Sequence, residues 1–224
     1  MGDLGRINQL IVTIGGQNLT FNLQVILMTW VVIAALLFFG VMVTRRRGML
    51  PHSMQVLGEL LVGQFYQLTE DALGKAYVEK YAPLICSLFM FVVLSNWLGV
   101  FPHLEEPTKD LNTPLSLGIM GFVIAHYAGI RSKGFKAYAK EYFQPVFFMM
   151  PLNVIGELAK IISISFRLFG NIMGGSIIIL VVSYLCYSIV LPPFLIAFFG
   201  IFVGTIQAFV FTMLTLVYIS IQVK

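Results

Sequence analysis

Apolar residues run without a charge from Leu23 to Thr44 and stop at Arg45-Arg46-Arg47. That length predicts a membrane-spanning helix, with the arginine cluster as a stop signal on the cytoplasmic side. The next segment, Met54 to Leu73, has a different pattern. Leu57, Leu60, Leu61, Phe65, Leu68 and Ala72 recur at three- and four-residue steps, with Glu59, Gln67, Glu70 and Asp71 between them. This periodicity predicts an amphipathic helix lying in the membrane interface. Tyr81 to Phe101 reads as a second span, with Trp97 near its outer end, and Pro102 to Thr113 as a polar loop. Pro114 to Ile130 is a short third span, followed by Arg131, Lys133, Lys136 and Lys140. A long apolar stretch then covers residues 146–190. As one helix it would be roughly 67 Å long, against a hydrocarbon core of about 30 Å. Pro192-Pro193 ends it, and Phe194 to Val223 is a further stretch of about 45 Å as a helix. No proline interrupts 152–191 or 194–223, so both read as long, tilted helices paired in a hairpin.

The expected fold is an all-α polytopic membrane protein. It has three upright or near-upright spans, one interfacial amphipathic helix and a C-terminal hairpin of two long tilted helices. Three regions follow: an N-terminal segment at 1–22, peripheral helices and loops at 23–145, and the hairpin at 146–224. Composition agrees, with 58% hydrophobic and 11% charged residues where a soluble domain carries about 25% charged. Residues 1–20 are polar and Gly-rich and lack the pattern of a cleavable signal. Cys86 and Cys186 lie in apolar stretches and read as buried thiols. His103 and His126 have no partner at metal-ligand spacing, and no metal or cofactor is expected. There is no P-loop and no loop large enough for a nucleotide-hydrolysing domain.

Charge sets the orientation. With the N-terminus outside, Arg45, Arg46, Arg47, Lys75, Lys80, Arg131, Lys133, Lys136, Lys140 and Lys224 lie inside, while Arg6 and Lys109 lie outside. This is the positive-inside bias, and it puts the C-terminus in the cytoplasm. The net charge of +4 therefore concerns topology rather than nucleic acid.

Arg167 stands apart. Between Ile161 and Val223 it is the one Lys, Arg, Asp, Glu or His. A guanidinium at membrane depth costs at least about 2.5 kcal/mol, and it does not shed its proton. On a helix, Lys160, Ser163, Arg167, Asn171 and Gly174 share one face, giving a polar stripe that ends at Glu157 toward the cytoplasm. Such a stripe can carry water and steer protons or cations. The bland alternatives are an arginine bonded to helix carbonyls, a Lys160 that snorkels, and Asn171 and Gln207 as interhelical hydrogen bonds. Asp110 and Asn112 can equally cap the helix that begins near Pro114. Gly170, Gly174, Gly175 and Ser176, with Gly200, Gly204, Thr205 and Ala208 on the last helix, allow close backbone approach. Gln207 is the notable polar residue of that last helix, and the hairpin brings it toward Arg167.

The run Glu157-Leu158-Ala159-Lys160, then Ser163-Ile164-Ser165-Phe166-Arg167-Leu168-Phe169-Gly170-Asn171, resembles the signature of F-type ATP synthase a subunits of bacterial type. Gln207-Ala208-Phe209-Val210-Phe211-Thr212-Met213-Leu214 is similar to their final-helix motif. Asp110-Leu111-Asn112-Thr113 and Asn96-Trp97 are similar to residues at the same places. The resemblance runs from about residue 23 to the C-terminus. It implies a non-catalytic stator subunit in the bacterial cytoplasmic (inner) membrane, in contact with lipid. Its implied partners are a ring of c subunits, the peripheral-stalk b subunits and the other ATP synthase subunits. Two offset half-channels would deliver protons to the ring and remove them, with sodium left open as the ion. By the same resemblance Arg167 separates the half-channels, supported by Gln207 and Asn171. Glu157, Lys160 and Ser163 line the cytoplasmic half-channel, and Asn96, Asp110 and Asn112 lie toward the outer one. Gly170, Gly174 and Gly175 pack against the ring. Two departures stand out. Some members carry a titratable pair where this chain has Ser176 and Gly200, and a common Lys-Pro reads Lys160-Ile161.

Two other function classes fit parts of the pattern. An ion-coupled secondary transporter would show internal repeats and broken midplane helices, and no repeat is visible. A structural scaffold would explain the small-residue faces and leave Arg167 without a purpose. Dependence on a partner discriminates them, since a transporter works alone in liposomes.

Overall fold

The computed structural model describes residues 9–14, 17–44, 53–101, 104–142, 150–186 and 191–224. Arg45–Arg47 and His103 lie outside the described residues, as does the side chain of Cys186. The chain runs as strands β1 (Gln9–Ile14) and β2 (Gln17–Asn22) and helices α1 (Leu23–Thr44), α2 (Ser53–Leu73) and α3 (Lys75–Trp97). Next come α4 (Asn112–Lys133), α5 (Phe135–Tyr142), α6 (Met150–Cys186), α7 (Leu191–Ala197) and α8 (Gly204–Val223). Short 3₁₀ turns occupy Leu98–Val100 and Pro107–Lys109, and a π-helical stretch at Phe198–Val203 joins α7 to α8.

Among the described residues, five helical stretches are long and apolar enough to cross a membrane: Leu23–Thr44, Lys75–Val100, Asn112–Lys133, Met150–Leu185 and Leu191–Val223. The α2 helix, with its interspersed carboxylates, is not one of them. The body is therefore helical and polytopic, as the apolar pattern required. The antiparallel β1–β2 pair, in which Gln9 faces Asn22 and Ile14 faces Gln17, was not predicted. Its signal was present in Ile11-Val12-Thr13-Ile14 and Leu19-Thr20-Phe21 on either side of Gly15-Gly16. The second and third spans begin before their apolar runs because polar turns extend them. Gly74, with φ 82°, separates α2 from α3, and Gly134, with φ 83°, separates α4 from α5. Both combine positive φ with extended ψ, a region essentially restricted to glycine.

The α6 helix has 37 residues, about 55 Å at 1.5 Å per residue, and it is unbroken at Lys160-Ile161. The Leu191–Val223 stretch has 33 residues. Pro192 and Pro193 sit in the first turn of α7, where their missing N–H groups cost nothing. These two stretches pack against each other as the expected hairpin.

The α8 helix is the centre of the bundle. It buries Gln207, Ala208, Phe211, Thr212, Thr215, Leu216, Ile219 and Gln222 against α3, α4, α6 and α2. Lipid gives helices no hydrophobic drive to associate, so close packing and hydrogen bonds hold them together. The α4 face Gly118, Gly121, Ala125, Ala128 and Gly129 supplies that closeness. A Cβ on Gly129 would stand 2.9 Å from the Gln222 carbonyl oxygen, and one on Gly121 would stand 3.1 Å from Thr215 Cγ2. The α2 helix buries Phe65, Thr69 and Leu73 and leaves Leu57 and Leu60 exposed. Two apolar clusters fill the bundle. One joins α2, α3, α4 and α8 around Phe65, Ile85, Ala128 and Ile219. The other joins α3, α6 and α8 around Val92, Ile164, Leu168, Ile172 and Phe211.

Candidate functional site

The α6 helix has two unlike faces. Ile161, Ile164, Leu168 and Ile172 recur at three- and four-residue steps and are buried. Ser163, Phe166, Arg167, Gly170 and Asn171 are exposed on the other side. Arg167 thus projects from the open face beside Phe166 and Ile162, and among the described residues it has no hydrogen bond or ion pair. Among the described residues, the bond to a helix carbonyl that the structural alternative required is not found. Gly170 and Gly174 share this face, and a Cβ on either would meet nothing within 4 Å. Gly175 faces the other way, where a Cβ would lie 3.0 Å from the Phe199 ring. It closes the hairpin rather than opening to a neighbour.

One turn beyond Arg167, the Asn171 Nδ2–H donates to Gln207 Oε1 at 2.7 Å. Gln207 is 4% exposed, and its Nε2 is buried without a partner among the described residues. The hairpin thus brings Gln207 to Asn171, one helical turn from Arg167, and its hydrogen bond is to Asn171.

Two cavities flank this level. The first is lined by Glu157, Lys160, Ile161 and Ile164 of α6, by Gly118, Gly121, Phe122, Ala125 and His126 of α4, and by Thr215, Tyr218 and Gln222 of α8. Its volume is about 20 Å³, room for one water. Lys160 donates to Glu157 Oε1 at 2.6 Å and lies 5.6 Å over the Tyr218 ring. Ser163 is not in this lining and faces outward. The second cavity, about 200 Å³, is lined by Asn171, Ile172, Ser176 and Ile179 of α6, by Ile196, Phe199 and Gly200 across the hairpin, and by Gly99 and Glu106. It has room for several waters. On α6 the first cavity ends at Ile164 and the second begins at Asn171. Arg167 stands between these two residues, which are seven positions, or about 10 Å, apart along the helix. On the inner side of that gap Leu168, Ala208 and Phe211 form an apolar partition, each fully buried.

Residues 26–220 match the family model described as ATP synthase A chain. The chain belongs to that family. It is 37% identical to ATP synthase subunit a of Moorella thermoacetica over 86% of this chain and 87% of the relative. It is 34% identical to ATP synthase subunit a of Legionella pneumophila strain Philadelphia 1 over 98% and 94%. It is 35% identical to the chloroplastic ATP synthase subunit a of Stigeoclonium helveticum over 90% and 85%.

In this ATP synthase a-subunit fold, the outer candidates hold the end of the bundle together. Asn96 is fully buried. Its Nδ2–H donates to the Gly204 carbonyl at 2.9 Å, and its Oδ1 accepts from Thr108 at 2.7 Å. Asp110 Oδ1 accepts from the Asn112 backbone N–H at 3.0 Å, fixing the start of α4. None of the three lines the second cavity.

Sequence reading passed over Glu106 and Thr108. The loop that carries them looks solvated, and only the fold shows that Thr108 is buried and that Glu106 lines a cavity. Desolvation raises the Glu106 carboxyl to about 7, against a smaller lowering by Lys109. The α4 glycines were passed over as well, although Gly118, Gly121, Ala125 and Ala128 recur at three- and four-residue spacing. The π stretch, a feature found often at functional sites, had no sequence signal beyond Gly200 and Gly204. It seats those glycines against Val100 and Asn96.

Proposed function

We propose that this chain is the proton-conducting stator subunit of an ATP synthase membrane motor. It works against a ring of c subunits that each present one membrane-buried carboxylate. The carrying observation is a cation without a partner among the described residues of its own chain, set on an open face between two cavities and backed by an apolar partition. A charge so placed needs an anion from outside. A carboxylate in apolar surroundings prefers its proton, whereas beside a guanidinium it prefers to be ionised. A ring carboxylate facing lipid is therefore neutral, and one facing Arg167 is charged. Protons reach the ring from the cavity beyond Asn171 and leave it through the cavity at Glu157 and Lys160. Arg167 repels a proton that would cross directly. Rotation and proton flow are thereby linked, with about 2.3 kcal/mol per charge for each 100 mV of membrane potential.

In this reading the subunit carries ions, and nucleotide chemistry belongs to other subunits of the complex. Ser163, Gly170 and Gly174 face the ring, Gln207 and Asn171 hold the hairpin at the arginine's level, and Asn96, Asp110 and Asn112 shape the outer end. Positive-inside topology puts the N-terminus outside and Lys224 in the cytoplasm of a bacterium, with the peripheral-stalk b subunits packing elsewhere on the bundle. The ring carboxylate's surroundings decide proton against sodium.

The test is ATP-driven acidification of inverted vesicles carrying the assembled complex. Arg167→Ala is expected to abolish it with assembly intact. Coupled pumping at the wild-type rate in Arg167→Ala would overturn the reading. Ion uptake by the purified subunit alone in liposomes would favour the transporter instead.

A further inference from the structure

Glu106 is the one titratable side chain among the described residues that line the larger cavity. It arrives from the loop after α3, not from the hairpin. Its space exists because Gly99 has no side chain: a Cβ there would collide with Glu106 Oε1. The loop is anchored two residues later, where Thr108 is bonded to the buried Asn96. Glu106 Oε2 is buried with no hydrogen-bond partner among the described residues. A buried carboxylate oxygen in that position needs either a proton or water, and the cavity of about 200 Å³ has room for water. The far wall is Asn171, one helical turn from Arg167 on α6, whose amide donates to Gln207.

We propose that Glu106 is the proton-relay group of the outer access path. It takes a proton from the outer solution and passes it through cavity water toward Asn171 and the Arg167 face. Each transfer returns the carboxylate to its starting form, so no other reactant is needed. The inference rests on the stator reading. Its carboxyl titrates near 7 because burial disfavours the anion, so both forms are populated at working pH, as a relay requires. The charge acting on it is Lys109 of its own loop. The walls from α6, α7 and the π stretch contribute only Asn171, Ile172, Ser176, Ile179, Ile196, Phe199 and Gly200, none of which titrates.

The experiment measures proton conduction and ATP-driven pumping in vesicles carrying the assembled complex, as a function of outer pH. The variants are Glu106→Gln, Glu106→Asp, Glu106→Gln with Ser176→Glu, and Arg167→Ala as a control. Glu106→Gln should lower conduction at least about tenfold and remove the inflection near 7. Glu106→Asp should retain most conduction. Ser176→Glu, which returns a carboxylate from the opposite wall, should restore conduction with a shifted profile. The proposal is overturned if Glu106→Gln conducts at the wild-type rate with an unchanged profile. It is also overturned if neither carboxylate variant restores what Glu106→Gln loses, since Glu106 is then only structural. Retained coupled pumping in Arg167→Ala would instead sink the stator reading itself, which keeps the two failures distinct.

Discussion

Replacing Asn96 by Ala removes the acceptor of Thr108 and the donor to the Gly204 carbonyl. Asn96, Thr108 and Gly204 are all buried, so water does not replace the lost bonds. The Gly204 carbonyl belongs to α8 and keeps its helical partner, so its loss is at the low end. The Thr108 hydroxyl is left sealed without an acceptor, at about 1–3 kcal/mol. Together with the void left by the side chain, the change should destabilise by about 2–4 kcal/mol. For a chain of this size that lowers the melting temperature by roughly 5–15 °C. Trp97 is the natural reporter, since its indole N–H donates to Thr205 at 2.9 Å next to this clamp. Trp30 is the other tryptophan, and a Trp30→Phe background makes the fluorescence local. Thermal unfolding of the purified subunit in detergent would be followed for Asn96→Ala, Thr108→Val and the pair. The two changes remove one shared bond, so their effects should fall short of additive by about 0.5–3 kcal/mol. Strict additivity, or an Asn96→Ala melt within about 2 °C of the parent, would refute the clamp and with it the anchoring of the Glu106 loop.

Gly129→Ala should destabilise by about 1–3 kcal/mol through overpacking, because its Cβ meets the Tyr138 ring and the Gln222 carbonyl; subunit yield in membranes reads this out. Gly170→Leu should leave the melt of the purified subunit unchanged, since nothing lies within 4 Å, while reducing coupled pumping in the complex. Gln207→Leu should weaken coupling without abolishing it, since it removes the acceptor of Asn171 and leaves Arg167 in place; an unchanged pumping rate would count against it. Stability should also depend on pH through Glu106, whose folded carboxyl lies near 7, above its ordinary 4.5. A raised acid means the folded state holds more protons in that window, so stability is full below about pH 4.5 and falls as pH rises through about 7. Glu106→Gln should flatten that slope in chemical denaturation at a series of pH values.

The spans were legible because lipid imposes one rule on every residue they contain. A run of 22 uncharged residues at Leu23–Thr44 has few other fates. The hairpin was legible from length and from the absence of interior proline. Arg167 was legible because a charge in such a run is costly, and its open face follows from helical periodicity alone. What the sequence left hidden are contacts between segments far apart in the chain. Asn171 and Gln207 were readable as interhelical hydrogen-bonding residues, but that they bond to each other, like the Thr108–Asn96 bond and the entry of Glu106 beneath Gly99, depends on the relative rotation and height of three helices. No local pattern encodes these. Gly175 illustrates the limit: three glycines within six residues looked equivalent, yet a rotation of 100° from Gly174 turns it from the open face into the hairpin. The β1–β2 pair was missed for a different reason. Its residues lie outside the membrane pattern, in a segment whose polar, Gly-rich composition masks the short alternating runs on either side of Gly15-Gly16.

In the proposed motor, two separate water paths meet the membrane from opposite sides, with Arg167 between them. The direct measurement is silver-ion inhibition of single-cysteine variants in a Cys86→Ser, Cys186→Ser background, in right-side-out and inverted vesicles carrying the complex. Ser176→Cys should be inhibited from the outer side and Thr215→Cys from the cytoplasmic side. Inhibition of both from the same side, or of each from either side, would contradict the account.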